Sequence, residues 1–219
     1  MAPLTSLREA VTDAFRSLAD EEATARSAAR VDGALEGLLA PGARTWLTGA
    51  RSELLDLCGL VARRVASEGA VLVLCGPEPA LPLARRWLHA QARVARSRPI
   101  SREGWVRLCE AAASMTTLDV SFLPGDAGVA PPPGTWRAVL DLRADGAREW
   151  LGELVGDRTA VLCSGSAPPS ADAWWCAQLD WHDDTVRVLR AEHAGDVRAT
   201  ELYYDASSGF LWELAPERP

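Results

Sequence analysis

The stretch Val71-Leu72-Val73-Leu74 is apolar at four consecutive positions and ends just before a Gly-Pro turn. Such an unbroken run is typical of a strand that is buried on both faces of a parallel sheet. Similar short runs predict further strands at 45–48, 118–123, 136–142 and 159–163. Helical patterns predict helices at 32–39, 53–67, 80–95, 101–114 and 147–155, with Ser101 as an N-cap. This alternation of strands and helices predicts an α/β domain with a mostly parallel sheet.

The two ends of the chain differ from this middle part. Four runs near the C-terminus are separated by turns alone, at 173–179, 185–190, 199–204 and 210–214. They predict antiparallel strands at one edge of the sheet. Residues 4–30 carry apolar side chains at helical spacing, whereas 125–134 contains three successive prolines and predicts a loop. We therefore expect an N-terminal helical segment at 1–30 and a core domain at 31–219.

Composition limits the chemistry and the partners of this chain. All 23 basic residues are arginine, so no lysine is available to bind phosphate or to form a Schiff base. The net charge of −7 predicts weak or no direct nucleic-acid binding and no attraction to an anionic membrane. Five scattered cysteines without a CxxC pair favour reduced thiols rather than a metal site, and no secretory signal is apparent. We expect a cytoplasmic protein that has no cofactor and no metal.

The order and lengths of these segments resemble the C-terminal ATPase domain of DnaB-type replicative helicases, a branch of the RecA-like superfamily. The resemblance covers roughly 31–214. VARRVASEGAVLVLCGPEPALPLARRWLHAQARV resembles the helix after the P-loop, the second strand and the next helix. RAVLDL stands where the Walker B strand belongs, and TVRVLRAEHAGDVRATELYYDASSGFLWEL resembles the closing strands. The resemblance implies a RecA-like three-layer fold with a mostly parallel central sheet, antiparallel strands at the C-terminal edge and an N-terminal helix.

The P-loop of that family is where this sequence departs most. A P-loop needs glycines that let backbone N–H groups surround phosphate, a lysine for the outer phosphates and a Ser or Thr for magnesium. The corresponding turn here is Gly49-Ala50-Arg51-Ser52, and the Gly-Lys-Ser/Thr positions become Glu53, Leu54 and Leu55. A carboxylate repels a triphosphate and two leucines offer it no donor. The sequence thus predicts loss of ordinary nucleotide binding.

The other catalytic positions of the family are altered as well. Asp141 keeps the Walker B position, but Pro77 replaces the catalytic glutamate, with Glu78 one residue later, and Glu192 replaces the arginine finger. We therefore expect no catalytic residues and a pseudo-ATPase. The residues of a degenerate nucleotide site would be Gly49, Arg51, Ser52, Glu78 and Asp141. An NTP-binding or NTP-hydrolysing ATPase with an atypical site that uses Arg51, Glu78 and Asp141 is the alternative.

A protein-binding role is the expectation that remains. Leu7, Val11 and Phe15 form an apolar stripe on the N-terminal helix, which either contacts a partner or packs on the chain's own sheet. Trp174 and Trp175 alternate across a predicted strand, so one of them should face outward at a sheet edge and could anchor a partner. Three further tryptophans, Trp46, Trp136 and Trp212, fall in strands and should pack in the core.

The resemblance also suggests the kind of partner. It implies a RecA-like or replication and repair protein in a bacterial cell, or a second copy of the chain in a homo-oligomer. An accessory of damage-tolerance synthesis is a related reading, because the RecA-like ImuA proteins of bacterial mutasomes share a degenerate P-loop and a similar final strand. A Ser164 nucleophile with His182 and Asp183 is disfavoured, since no GxSxG elbow is present and 181–184 predicts a solvated hairpin.

Overall fold

A computed structural model describes residues 34–75, 80–97, 99–123, 135–143, 159–164 and 174–213, all of which belong to one compact unit. Several expected features lie outside these residues: the N-terminal helix with Leu7, Val11 and Phe15, the loop at 125–134, the helix at 147–155, and Glu78.

The described strands form one nine-stranded sheet. They are β1 (Arg44–Thr48), β2 (Val71–Leu74), β3 (Val120–Leu123), β4 (Ala138–Asp141), β5 (Ala160–Ser164), β6 (Trp175–Trp181), β7 (Val186–His193), β8 (Asp196–Asp205) and β9 (Phe210–Glu213). Their order is β3-β2-β4-β5-β1-β6-β7-β8-β9. The strands from β3 to β6 in this order are parallel, and β6 to β9 are joined antiparallel. The predicted mixed sheet is thereby confirmed.

Four helices are described: α1 (Ala34–Leu38), α2 (Arg51–Ala66), α3 (Ala80–Ala92) and α4 (Arg102–Met115). Helix α4 begins at its predicted cap, where Ser101 Oγ accepts a hydrogen bond from the Gly104 N–H at 3.0 Å. Helix α2 begins at Arg51 rather than at the predicted Glu53. This earlier start matters for the phosphate site, because it leaves only two residues after β1 outside regular structure.

Helix α2 is the central helix of the larger apolar cluster. Its inward residues recur at helical spacing, for example Leu54, Leu57, Cys58, Val61 and Val65, and they contact the strands on one face of the sheet. A smaller cluster lies on the opposite face and includes Trp46, Leu72, Val139, Val161 and Trp174. The central strands are therefore buried on both faces, as the apolar runs indicated.

The predicted core tryptophans do not all lie in the core. Trp46 is buried and meets Trp174 edge to face, with ring centroids 6.0 Å apart. Trp136 precedes β4 and packs, partly buried, against the smaller cluster. The prediction for Trp212 was wrong, because its side chain is 42% exposed. Leu211 takes the inward position on β9, so strand alternation turns Trp212 to the face on which Tyr203 is also exposed.

Candidate functional site

The turn between β1 and α2 is the place where a RecA-like ATPase would bind phosphate. Thr48 ends the strand and Arg51 begins the helix, so Gly49 and Ala50 alone connect them. A P-loop has four residues between its two glycines, which form the nest of N–H groups around the phosphates. Gly49 has φ +149°, and a Cβ there would lie 3.1 Å from the Leu179 carbonyl oxygen and 3.3 Å from Leu54 Cδ2. The link is thus short and closely packed.

Arg51 spans the strand ends beside this turn. Its Nη1 donates to Ser164 Oγ at 3.0 Å, and its Nη2 donates to the carbonyl oxygen of Leu142, the residue after β4. The carboxyl ends of parallel strands are where α/β sheets bind ligands. The guanidinium therefore occupies this edge and already has acceptors from the protein itself. Ser52 follows it, is exposed, and accepts a hydrogen bond from Arg86 Nη2 on its carbonyl oxygen at 2.7 Å.

Asp141 ends β4 at the Walker B position and is fully buried. Its Oδ1 accepts hydrogen bonds from Arg143 Nε at 2.9 Å and from the Arg143 backbone N–H at 3.0 Å. Its Oδ2 accepts from Arg143 Nη2 at 3.1 Å. A carboxylate bound in this way by one guanidinium is satisfied without a metal ion. The structure thus places the Arg51 guanidinium against Leu142, the residue that follows Asp141, whereas Glu78 lies outside the described residues.

Glu53, Leu54 and Leu55, the residues predicted at the Gly-Lys-Ser/Thr positions, lie within the first turns of α2 and are all buried. Leu54 and Leu55 belong to the larger apolar cluster. Glu53 Oε1 accepts hydrogen bonds from Arg187 Nε at 2.9 Å and from Trp181 Nε1 at 3.0 Å. These side chains therefore pack into the protein instead of facing a ligand. Sequence reasoning missed Arg187; the signal for it was an arginine at an inward position of β7, in alternation with Leu189 and Ala191.

A third buried carboxylate, Asp56 on α2, joins three other segments. It accepts hydrogen bonds from Arg86 Nε and Nη2 at 2.6 and 2.8 Å, from Arg96 Nη2, and from the Tyr204 hydroxyl at 3.2 Å. Burial, together with the nearby Asp56 carboxylate, raises the pKa of Tyr204 to about 12. No sequence pattern indicated this cluster, because its members are up to 148 residues apart.

A cavity of about 590 Å³ opens beside the Asp56 cluster. Leu55 of α2, Leu81 and Leu83 of α3, and the two arginines that bind Asp56 contribute to its wall. The volume is within the range of small-ligand and peptide pockets. It lies at the surface where α2 and α3 meet, and it is built from residues other than those of the predicted nucleotide site.

Trp174 and Trp175 do not form the predicted anchor at a sheet edge. Strand β6 pairs with β1 on one side and with β7 on the other, so it lies inside the sheet. Trp174 is buried in the smaller cluster, and Trp175 is half-buried, with the His193 ring centroid at 5.2 Å and the Arg198 guanidinium at 5.1 Å. The expectation of an outward edge tryptophan here was wrong, because the meander continues the sheet beyond β6.

The hairpin between β6 and β7 is exposed, as its sequence predicted. Asp183 Oδ1 accepts hydrogen bonds from the N–H groups of Thr185 and Val186 at 2.7 and 2.8 Å. These bonds are typical of an Asx turn and hold the pKa of Asp183 below its ordinary value. Within the described ranges, no group of three or more His, Cys, Asp or Glu side chains could hold a metal ion. Of the helices that the structure describes, none is both long and apolar enough to span a bilayer.

Solved structures with this arrangement include a DnaB-like replicative helicase that interacts with primase. Another is the ATPase domain of a second protein. The helicase is 11% identical to the chain at a TM-score of 0.60, over 81% of this chain and 60% of its own. The ATPase domain is 12% identical at a TM-score of 0.63, over 97% of this chain and 100% of its own. The chain has a RecA-like fold. The fold that the sequence predicted is thereby confirmed.

The likeness concerns structure and not sequence. No protein-family model matches the chain, and no curated protein matches it either. The chain spans 60% of the length of the DnaB-like helicase. Helicase activity and primase contact therefore remain properties of that relative, and the RecA-like fold is the part that the two proteins share.

Proposed function

We propose that this chain is a RecA-like domain that does not bind or hydrolyse ATP and that acts by binding other proteins. The observation that carries this proposal is the two-residue connection between β1 and α2. In the first helical turn after it, the side chains of Arg51 and Glu53 are already hydrogen-bonded to other groups of the protein. A bound triphosphate needs a loop of free N–H groups and a cation next to them. Here Arg51 is bonded to Ser164 and Leu142, and Glu53 adds a negative charge at the helix N-terminus.

A calorimetric titration with ATP and magnesium tests the first half of the proposal. We expect no binding heat for the wild-type chain and no phosphate release above background. The variant Arg51→Ala is the matched control, because it removes the one cation at the strand ends that the atypical-site alternative requires. Micromolar binding by the wild type that is lost in Arg51→Ala would establish that alternative, an ATPase with an unorthodox phosphate site.

The second half concerns the pathway and the partner. A RecA-like fold without its phosphate loop retains the surfaces by which such domains assemble, so a protein partner is the simplest remaining role. We propose a RecA-like or replication and repair protein as that partner, or a second copy of the chain, in the bacterial cytoplasm. We propose an accessory role in replication, recombination or repair, including damage-tolerance synthesis; the fold and the primase contact of the DnaB-like helicase support it.

The stripe formed by Leu7, Val11 and Phe15 is the proposed assembly contact. Substitution of all three residues by Ser, or deletion of 1–30, should abolish self-association or capture of a purified DnaB-type helicase in sedimentation velocity. The matched control replaces Glu9, Asp13 and Arg16 by Ser and should leave association unchanged. The melting temperature should stay nearly constant in every variant. A soluble truncation that keeps all of its binding would refute this contact.

A further inference from the structure

The cavity beside α2 and α3 has an apolar wall and an apolar mouth. We call it the Leu81 groove, and it is lined in part by Leu55, Leu81, Leu83, Arg85, Arg86 and Arg96. Leu55 and Leu83 are buried, whereas 78% of the Leu81 side chain is exposed beside the opening. An exposed leucine that continues an apolar cavity is a feature of binding surfaces rather than of an ordinary solvated helix. A ligand that fills the groove and covers Leu81 must extend beyond the cavity itself.

The charges around the Leu81 groove are positive, although the chain carries a net charge of −7. Arg86 and Arg96 are held in place by the buried carboxylate of Asp56. Within the described part of the chain, Nη1 of each donates no hydrogen bond, and Arg85 on the exposed side of α3 has no ion-pair partner. Two guanidinium groups thus share the Asp56 carboxylate, and Arg85 adds a third positive charge to the lining of the groove. The excess positive charge favours an anionic ligand, because guanidinium groups bind carboxylates and phosphates through charge-assisted hydrogen bonds.

We propose that the Leu81 groove binds a helical segment of a partner protein that carries leucine-type side chains at helical spacing and aspartate or glutamate between them. The proposal rests on the protein-binding role proposed above and gives it a site. An apolar side chain of the segment enters between Leu55 and Leu83. Its neighbouring residues cover Leu81, and its carboxylates pair with Arg85 and with the outward Nη1 groups of Arg86 and Arg96. A peptide satisfies this arrangement because it continues past the rim, which a ligand enclosed in the cavity does not.

Fluorescence anisotropy with two labelled synthetic peptides tests the groove. Both peptides are about 16 residues long, or about 24 Å as a helix, and carry leucines at helical spacing. The polar positions are Glu and Asp in one peptide and Lys in the other. We expect the acidic peptide to bind the wild-type chain at least about tenfold more tightly, a difference of about 1.4 kcal/mol. Hydrogen exchange should show protection by that peptide within 80–92.

The variants Leu81→Asp and Arg85→Glu should each lower the affinity for the acidic peptide by about tenfold. Both side chains are exposed, so neither change should lower the melting temperature. The matched controls are Val106→Asp on α4 and Arg190→Glu on β7, which make the same changes at exposed positions that do not line the groove. They should bind as the wild type does.

Equal binding of the two peptides, or wild-type binding by Leu81→Asp and Arg85→Glu, would overturn the groove proposal. The nucleotide titration is run on the same preparations, so the two proposals fail separately. A chain that binds neither ATP nor the acidic peptide refutes the groove alone. A chain that binds both keeps the groove and refutes the pseudo-ATPase.

Discussion

Glu53 and Arg187 form a buried ion pair between the first turn of α2 and strand β7. Arg187 Nε donates to Glu53 Oε1 at 2.9 Å, and the two side chains are 1% and 8% exposed. The Trp181 ring lies over the guanidinium at 4.0 Å. Glu53 is the residue predicted from the sequence at the second glycine of the P-loop pattern. Its side chain is fixed by this long-range contact, which holds the start of α2 against the antiparallel strands.

Breaking this pair should destabilise the protein strongly. Arg187→Met leaves the Glu53 carboxylate buried without a cation, and removal of one partner from a buried pair costs about 3–5 kcal/mol. The free energy of unfolding in urea measures the loss. Arg190→Met, an exposed arginine on the same strand, should change it by less than about 0.5 kcal/mol. The double variant Glu53→Leu with Arg187→Met should recover most of the loss, and a double variant with additive losses would contradict the coupling.

Tyr204 should make stability fall at alkaline pH. Burial and the nearby Asp56 carboxylate raise the pKa of Tyr204 in the folded state from 10.0 to about 12. As pH rises, the unfolded chain therefore releases the Tyr204 proton before the folded protein does. The contribution of this group to the free energy of unfolding is complete below pH 10 and is lost as pH rises from 10 to about 12. Urea midpoints measured across that interval should fall less steeply in Tyr204→Phe. Tyr203→Phe, which changes the only other tyrosine, should keep the wild-type slope. If Tyr204→Phe also kept the wild-type slope, Tyr204 would not be the cause of the alkaline loss of stability.

The features that were predictable from the sequence depend on local signals. The unbroken run at Val71–Leu74 became a strand with all four residues buried, and Ser101 became an N-cap because its hydroxyl needs only the N–H of Gly104. The first residue of α2 could not be predicted from local sequence signals alone. Arg51 and Ser52 belong to the helix because the residues after them are anchored in the core, and that anchoring is not visible in a short window.

The features that were missed depend on partners far apart in the chain. Glu53 and Arg187 are 134 residues apart, and Asp56 and Tyr204 are 148 apart. Neither separation has a periodic signature, so the buried polar clusters and the Leu81 groove beside them could not be predicted. Trp175 shows the same limit, since its exposure depends on whether β6 is an edge strand, and only the pairing with β7 settles that.

Direct DNA binding should be weak. A net charge of −7 gives no general attraction to phosphate, and the contacts that form without base recognition weaken steeply with salt. In a filter assay at about 150 mM salt, single-stranded and duplex DNA should show no submicromolar binding. Lower salt should raise the affinity only slightly, because the 30 acidic residues outnumber the 23 arginines and repel phosphate. Submicromolar binding with a steep salt dependence would contradict this expectation.

Two glycines in turns of the antiparallel strands allow a test of how much Arg96 contributes. Gly195 lies between β7 and β8 with φ +87°, and Gly209 lies between β8 and β9 with φ +77°. A Cβ at Gly195 would meet nothing within 4 Å. A Cβ at Gly209 would overlap the Arg96 guanidinium and lie 2.7 Å from Asp56 Oδ1. The two positions share the backbone strain of a left-handed residue and differ in this collision.

Gly195→Ala should therefore lower the free energy of unfolding by about 1–2 kcal/mol, the strain of a left-handed residue with a Cβ. Gly209→Ala should lose that amount and about 1.5–3 kcal/mol more, because Arg96 must leave Asp56 and a charged hydrogen bond is broken. Urea denaturation of both variants measures the difference. In an Arg96→Ala background most of the extra loss should disappear, since no guanidinium remains to collide and only the close approach to Asp56 Oδ1 is left. Equal losses in the wild-type background would show that Arg96 moves aside without leaving Asp56.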